Sequence, residues 1–331
     1  MEIYYFSGTG NSLHVARELK KRFPEAKLIP IIRALKKKTI RTEAETVGII
    51  FPIHALTLPW PVEEFFGKLR TGPATYLFAV ATRVCFAKVF LKINRLMKKQ
   101  GITLDATFSF EMPETYIPVF QVYSNEKIRE VEREVQKKLD VIKKTIAAKE
   151  KHLPKDPGGW FLFSHILYPL ITQYFRKIRF SGMEKSFYAD PACTGCGICE
   201  EICLSGKIKM KNGKPHWQSN IPCTYCFACI HFCPARAIQI KNRNTCQRGR
   251  YHHPSIKATD IMEQKECTTP SIKLPVGFLS VWQADNDFCL SGYIEYGHKI
   301  VILSGKLFIS NTSCSKNSIA SFFTVSLAFY Y

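Results

Sequence analysis

The sequence predicts two unlike folding units: a doubly wound α/β domain on a five-stranded parallel sheet, then a small cysteine-rich α+β domain. Three observations carry this. Apolar strand-like runs alternate with helical stretches up to about residue 121, the first strand ends in the turn Ser7-Gly8-Thr9-Gly10-Asn11-Ser12, and eight of the thirteen cysteines repeat one spaced pattern. Alternation of this kind builds a parallel sheet with helices on both faces.

The elements follow in order. Strands are expected at 2–6, 27–32, 46–51, 75–81 and 102–110, and helices at 11–22, 62–69 and 86–99, with a long charged helix at 126–149 closing the unit. Domain boundaries are expected at 1–150 for the α/β domain, 151–182 for a helical connector, 183–264 for the cysteine-rich domain and 265–331 for a C-terminal stretch. Within the connector, the apolar window 160–175 is short for a membrane span and contains Ser164, His165, Pro169, Thr172 and Gln173. It reads as a helix packed on one of the domains, so no membrane association is expected.

The chain has 331 residues and a formal net charge of +20, from 47 Lys and Arg against 27 Asp and Glu. Such an excess favours acidic partners, although part of it belongs to solvated helix faces such as 92–99. No base-stacking module or groove-reading motif accompanies the charge, so nucleic acid is not expected as a partner. The N-terminus runs directly into the apolar stretch 3–6 without a basic leader, which predicts a cytoplasmic protein.

The turn at 7–12 leads from a strand into a helix. Its glycines let backbone amides turn inward, Ser7, Thr9 and Ser12 offer hydroxyls, and the helix start adds partial positive charge, which together make a cradle for a dianion. No Gly-Lys pair ends the turn as in a Walker loop, and Leu13 stands where a dinucleotide fingerprint has its third glycine.

The cysteine pattern is Cys193-x2-Cys196-x2-Cys199-x3-Cys203, repeated 30 residues later as Cys223-x2-Cys226-x2-Cys229-x3-Cys233 and followed by Pro234. This spacing suits two [4Fe-4S] clusters, with three sulfurs of each loop on one cubane and the fourth on the other. Cluster I is therefore assigned to Cys193, Cys196, Cys199 and Cys233, and cluster II to Cys223, Cys226, Cys229 and Cys203. Zinc would use four of these thiolates per ion and leaves the evenly spaced third cysteine unexplained. A disulfide framework is not needed in a chain of this length. Cys85, Cys246, Cys267, Cys289 and Cys314 lack ligand spacing and read as ordinary thiols.

Over 188–241 the sequence resembles the bacterial two-cluster ferredoxins, in all eight ligands and in Cys233-Pro234. It departs at Leu204, where those proteins usually have proline, which changes hydrogen bonding around Cys203. The turn at 7–12 resembles the FMN phosphate loop of flavodoxins. The whole arrangement, over about residues 1–260, resembles fused flavodoxin-ferredoxin proteins found mainly in anaerobes, including Met112-Pro113, Tyr116-Ile117-Pro118 and Gly249-Arg250-Tyr251-His252-His253-Pro254. The resemblance implies a flavodoxin-like first domain that binds FMN through Ser7, Gly8, Thr9, Gly10, Asn11 and Ser12. Its ring loops would be 52–61, offering His54 and Trp60, and 82–86, offering Thr82 and Arg83. The second loop lacks the glycines usual in relatives, and Arg83 would stabilise reduced flavin by charge.

After Arg250 there is no arginine, and residues 268–331 contain ten serines. Runs at 298–303 and 306–309 around Ser304-Gly305 read as a hairpin, with another strand near 278–282. This stretch is either a small β appendage or, as preferred, a poorly packed tail foreign to the family. The functional expectation is electron transfer between two [4Fe-4S] clusters and FMN, relayed to an acidic redox protein or a small-molecule donor or acceptor. The alternative is a flavin-dependent reductase acting on a small molecule, for which only His54 offers an acid near the flavin.

Overall fold

The computed structural model describes residues 1–54, 56–83, 89–154, 170, 173–174 and 182–265, and the backbone of four strands between 281 and 311. The first sheet has strands β1 (Glu2–Tyr5), β2 (Lys27–Pro30), β4 (Thr46–Pro52), β6 (Tyr76–Arg83) and β7 (Ala106–Glu111), ordered β2-β1-β4-β6-β7 and all parallel. In chain order of these five strands, that is 2-1-3-4-5, the flavodoxin-like winding. The central strands are buried on both faces, which is why β4 and β6 read as continuous apolar runs. β3 (Ile40–Thr42) and β5 (Leu69–Thr71) form a further parallel pair that the sequence did not announce.

The helices cover the sheet as their apolar periodicity requires. α1 (Asn11–Arg22) buries Leu13, Val15, Ala16 and Leu19, and α5 (Asn125–Ala147) buries Val131, Val135, Leu139, Ile142 and Ile146 at three- and four-residue spacing. Ser124 caps α5 by accepting from the Lys127 N–H at 3.3 Å. Between them in the chain lie α2 (Ile31–Ala34), α3 (Trp60–Lys68) and α4 (Val89–Lys98).

The cysteine segment repeats one motif of loop, short helix and strand. α6 (Ile198–Glu201) precedes β9 (Ile208–Lys211), and α7 (Ala228–His231) precedes β11 (Ile238–Ile240). β9 pairs antiparallel with β10 (Lys214–Trp217), and β11 with β8 (Phe187–Ala189). A final segment, 248–264, carries α8 (Ala258–Met262) back onto the first domain.

Residues 1–267 form one compact unit. Its two halves share apolar clusters: Ile202, Leu204, Phe232, Ile256 and Ile261 pack with the first sheet, while Ile117 and Tyr116 pack with Phe187, Phe227 and Ile238. The expected connector helix at 151–182 lies mostly outside the described residues. Among the described residues no helix is long and apolar enough to cross a membrane.

Residues 268–331 form a second compact unit. Its strands β12 (Val281–Ala284), β13 (Asp287–Ile294), β14 (His298–Leu303) and β15 (Lys306–Asn311) make an antiparallel sheet in sequential order. The expected hairpin is β14–β15, whose register closes with Leu303 opposite Lys306.

Candidate cofactor sites

β1 delivers the turn at 7–12 to the carboxyl edge of the sheet, where doubly wound folds bind ligands. Ser7, Thr9, Asn11 and Ser12 are all buried. Gly10 takes a left-handed φ of 98° as the residue before α1, a conformation that favours glycine. Among the described residues, no group accepts from the backbone N–H groups of residues 8–13, whereas Ser7 N–H and His14 N–H are both engaged. Unpartnered amides at the start of a twelve-residue helix fit an anion. The Ser12 and Thr82 hydroxyls lie 2.8 Å apart beside them.

From these amides a cavity of about 340 Å³ extends over the sheet edge. Its walls include Ser7, Gly8, Thr9, Asn11 and Ser12 at one end and Pro52, His54, Thr82 and Arg83 along the strand ends. Further wall comes from Ile53, Leu56, 112–116, Val119, Phe120 and Tyr225-Cys226-Phe227. The donor set thus fits a phosphate joined to a flat, largely apolar group. One expected contact is corrected. Trp60 opens α3, is about a third exposed and lies outside the cavity wall, because Pro59 ends the loop early and Pro61 continues into the helix. Gly10 packs closely on the segment 248–264, where an added Cβ would lie 2.9 Å from Ile256 Cβ and 3.0 Å from His253 Cβ, and its N–H stays among the unpartnered amides. Residues 84–88 of the second ring loop lie outside the described residues.

The contribution of 112–116, 119–120 and 225–227 to this wall escaped the sequence reading. Met112-Pro113, following the last strand of the sheet, was the available signal. Glu114 folds back so that its carboxylate accepts from Thr115 N–H at 2.8 Å and Tyr116 N–H at 2.6 Å. Asn11 ties this segment down, its side-chain amide donating to Pro113 O at 3.2 Å.

The segment 248–264 braces the phosphate turn from behind. Gln264 grips Ser7 on both sides, donating to its carbonyl at 2.7 Å and accepting from its N–H at 3.0 Å. Tyr251 donates to Asn11 Oδ1 at 3.0 Å, and His253 N–H donates to Thr9 O at 2.9 Å.

His14, His253 and Glu132 gather beside this brace, with their ligand atoms within 4.8 Å of one another. The two imidazoles are stacked, 3.8 Å between centroids and 18° between planes, so their in-plane lone pairs run side by side and do not converge on one ion. The trio is a hydrogen-bonded latch: Glu132 meets His14 Nε2 at 3.0 Å and His253 Nε2 at 3.5 Å, and accepts from Gln136 at 2.7 Å. Burial opposes ionisation of Glu132, yet the His14, His253 and Gln136 hydrogen bonds hold its carboxyl far below the usual range.

The cysteines divide into two groups. Cys193, Cys196, Cys199 and Cys233 line one small cavity with Pro234, and Cys199 interacts electrostatically with the other three. Cys229 interacts in the same way with Cys203, Cys223 and Cys226, and less strongly with Cys199 of the other group. Burial pushes the Cys199 thiol up to about 11 and raises Cys226 and Cys229 as well. Thiols so disfavoured as free anions give up their protons when a cluster supplies positive charge. Cys233 Sγ accepts from Ala237 N–H at 3.3 Å, whereas Cys203 Sγ has the Ser205 hydroxyl at 3.6 Å. Leu204 is buried in the shared core.

The two sites touch. A Cβ added to Gly8 would lie 2.5 Å from Cys226 Cβ and 2.8 Å from its carbonyl oxygen. His54 Nδ1 donates to Thr224 O at 3.0 Å, pinning the ring loop to the cysteine loop.

Residues 192–238 match the family model of the 4Fe-4S dicluster domain. The chain joins a flavodoxin-like α/β domain to this iron-sulfur domain. Solved structures similar to the first domain include a Streptococcus pneumoniae TIGR4 flavodoxin, 16% identical over 45% of this chain and 97% of that one, with a TM-score of 0.30. A Megasphaera elsdenii flavodoxin is 17% identical over 34% and 88%, at 0.26, and a flavodoxin from the Archaea 15% identical over 42% and 97%, at 0.27. The fold assignment rests on strand order and not on these likenesses. No curated protein matches the chain.

Proposed function

We propose that the chain is an internal electron relay, in which FMN at the 7–12 turn and two [4Fe-4S] clusters in the cysteine segment exchange electrons and pass them to an outside redox partner. The observation that carries this is the shared wall: Cys226 belongs both to the cysteine group of cluster II and to the cavity that starts at the unpartnered amides. Cluster I would take Cys193, Cys196, Cys199 and Cys233, and cluster II Cys223, Cys226, Cys229 and Cys203.

When bound, FMN supplies a centre able to exchange one or two electrons, matching one-electron clusters to other chemistry. The chain's own residues hold its site in fixed relation to the cysteine loop. The amides of 8–13 would bind the phosphate, with Ser12 and Thr82 adding hydroxyls. Pro52, Met112, Tyr116 and Phe120 would exclude water from the ring. His54, held neutral by burial with its pKa down to about 4, keeps a proton on Nδ1 for Thr224 O and so maintains the contact between the two loops. A cavity of about 340 Å³ is near the lower end for small-molecule sites. Among the described residues that volume suits a cofactor, and the shared wall at Cys226 favours relay over the alternative of a small-molecule reductase.

Protein purified without oxygen should contain about eight irons and about eight acid-labile sulfides per chain, as two cubanes require, together with FMN. Cys233→Ala should lose about half of the iron and leave the cluster of Cys223, Cys226 and Cys229 in place. A stoichiometric zinc content without sulfide, or absence of flavin, contradicts the proposal.

A further inference from the structure

The eight cluster cysteines are not equally placed. Cys226 abuts Gly8 inside the molecule, while Cys196 is exposed. The loop of Cys193 and Cys196 is backed by the β9–β10 hairpin: a Cβ on Gly195 would lie 2.8 Å from Gly213 O, and Lys214 Nζ donates to Cys193 O at 2.9 Å. That hairpin is basic. Lys209, Lys211 and Lys214 are exposed on it, as is His216.

Beside the hairpin runs an open groove of about 580 Å³ whose walls include Lys185, Tyr188, Lys214, His216 and Trp217. Tyr188 is more than a third exposed. Three carboxylates on this face are already occupied, while Glu201 is exposed and acts on Lys209. Glu200 holds Lys209 at 2.8 Å and Met210 N–H at 2.7 Å, Asp190 accepts from Ala192 N–H and Gln239, and Glu184 accepts from Cys223 N–H beside Lys207. Lys185 and Lys211, by contrast, are exposed at either side of the groove and the cluster loop.

We propose that this face, the exposed loop of Cys193 and Cys196 with the β9–β10 hairpin and its groove, docks an acidic redox protein and is the outer electron port of the chain. The proposal rests on the relay reading, since it takes the loop of Cys226, which packs on Gly8, as the inner end. Its occupant is set by charge complementarity: a patch on which exposed lysines outnumber unengaged acids attracts carboxylates, and two aromatic rings give a docked loop apolar surface. A loaded cluster carries negative charge, and the lysine rim counters it at the point where an acidic protein must approach.

The test compares the holoprotein with Lys185→Glu/Lys211→Glu and with a control of equal charge change on the far helix α5, Lys138→Glu/Lys143→Glu. The probe is an acidic two-cluster ferredoxin, with binding read by titration calorimetry and electron exchange by stopped flow. The docking pair should weaken association about tenfold or more at low salt while the control changes it less than about threefold. The difference should vanish near 0.5 M salt, where screening acts within a few ångströms. Equal losses in the two variants, or none in the docking pair, overturn the proposal. If charge reversal lowers iron content, Lys185→Gln/Lys211→Gln carries the same comparison with half the charge change. Binding is scored separately from electron movement inside the chain. A wild type that binds the ferredoxin through this face but never equilibrates flavin and clusters would sink the relay reading and leave the docking face standing.

Discussion

An alanine at position 8 would place its methyl 2.5 Å from Cys226 Cβ, with backbone on both sides of the contact. Residue 8 has no need of glycine for its own φ; what requires glycine is the neighbouring loop. Gly8→Ala should therefore push the cysteine loop away, costing about 1–3 kcal/mol and slowing exchange between flavin and clusters. Gly48→Ala is the control, since its methyl would run into the Phe78 ring within the first sheet. It should cost stability without altering that exchange. His54 makes a second residue-scale test. Its pKa is pushed down to about 4 by burial, so the unfolded chain takes up the proton first and stability is lost as pH falls from about 6.5 towards 4. At pH 5 this amounts to about 2 kcal/mol. His54→Gln, which keeps a donor for Thr224 O, should lose about that much less than wild type between pH 7.5 and 5 in urea unfolding. Identical pH profiles would show that His54 is not the group responsible.

At the scale of elements, the sequence was most legible where a pattern repeats. The five strands of the first sheet, the helices at 11–22 and 125–147, and the duplicated cysteine motif all carry periodicity or spacing, and all appear close to their expected limits. The brace at 248–264 was not legible as a brace. Its grip depends on hydrogen bonds between residues 240 or more positions apart, such as Gln264 to Ser7 and Tyr251 to Asn11, and no local pattern encodes those. Trp60 was misplaced for a related reason: a large aromatic in a loop suggests a ring contact, but the prolines at 59 and 61 start a helix that carries the indole to the surface. The brace yields a truncation test. A chain ending at Cys267 should keep clusters and flavin, because residues 1–267 are compact by themselves. A chain ending at Glu263, four residues shorter, should bind FMN at least about tenfold more weakly, since both Ser7 hydrogen bonds are lost and each contributes about 1 kcal/mol. Equal flavin affinity of the two chains, measured by fluorescence titration, would remove Gln264 from the site.

At the scale of the whole molecule, the flavodoxin-like sheet and the iron-sulfur domain lie within one unit. They share apolar packing and the wall at Cys226. Free partner proteins would need to collide; here the encounter is built in, which makes the effective concentration of one site at the other independent of dilution. Rapid photoreduction of the clusters in anaerobic holoprotein, followed by flavin absorbance over a hundredfold range of protein concentration, tests this most directly. The flavin should be reduced at one rate throughout that range. A rate rising in proportion to concentration, or a flavin of higher potential that stays oxidised beside reduced clusters, would contradict the relay.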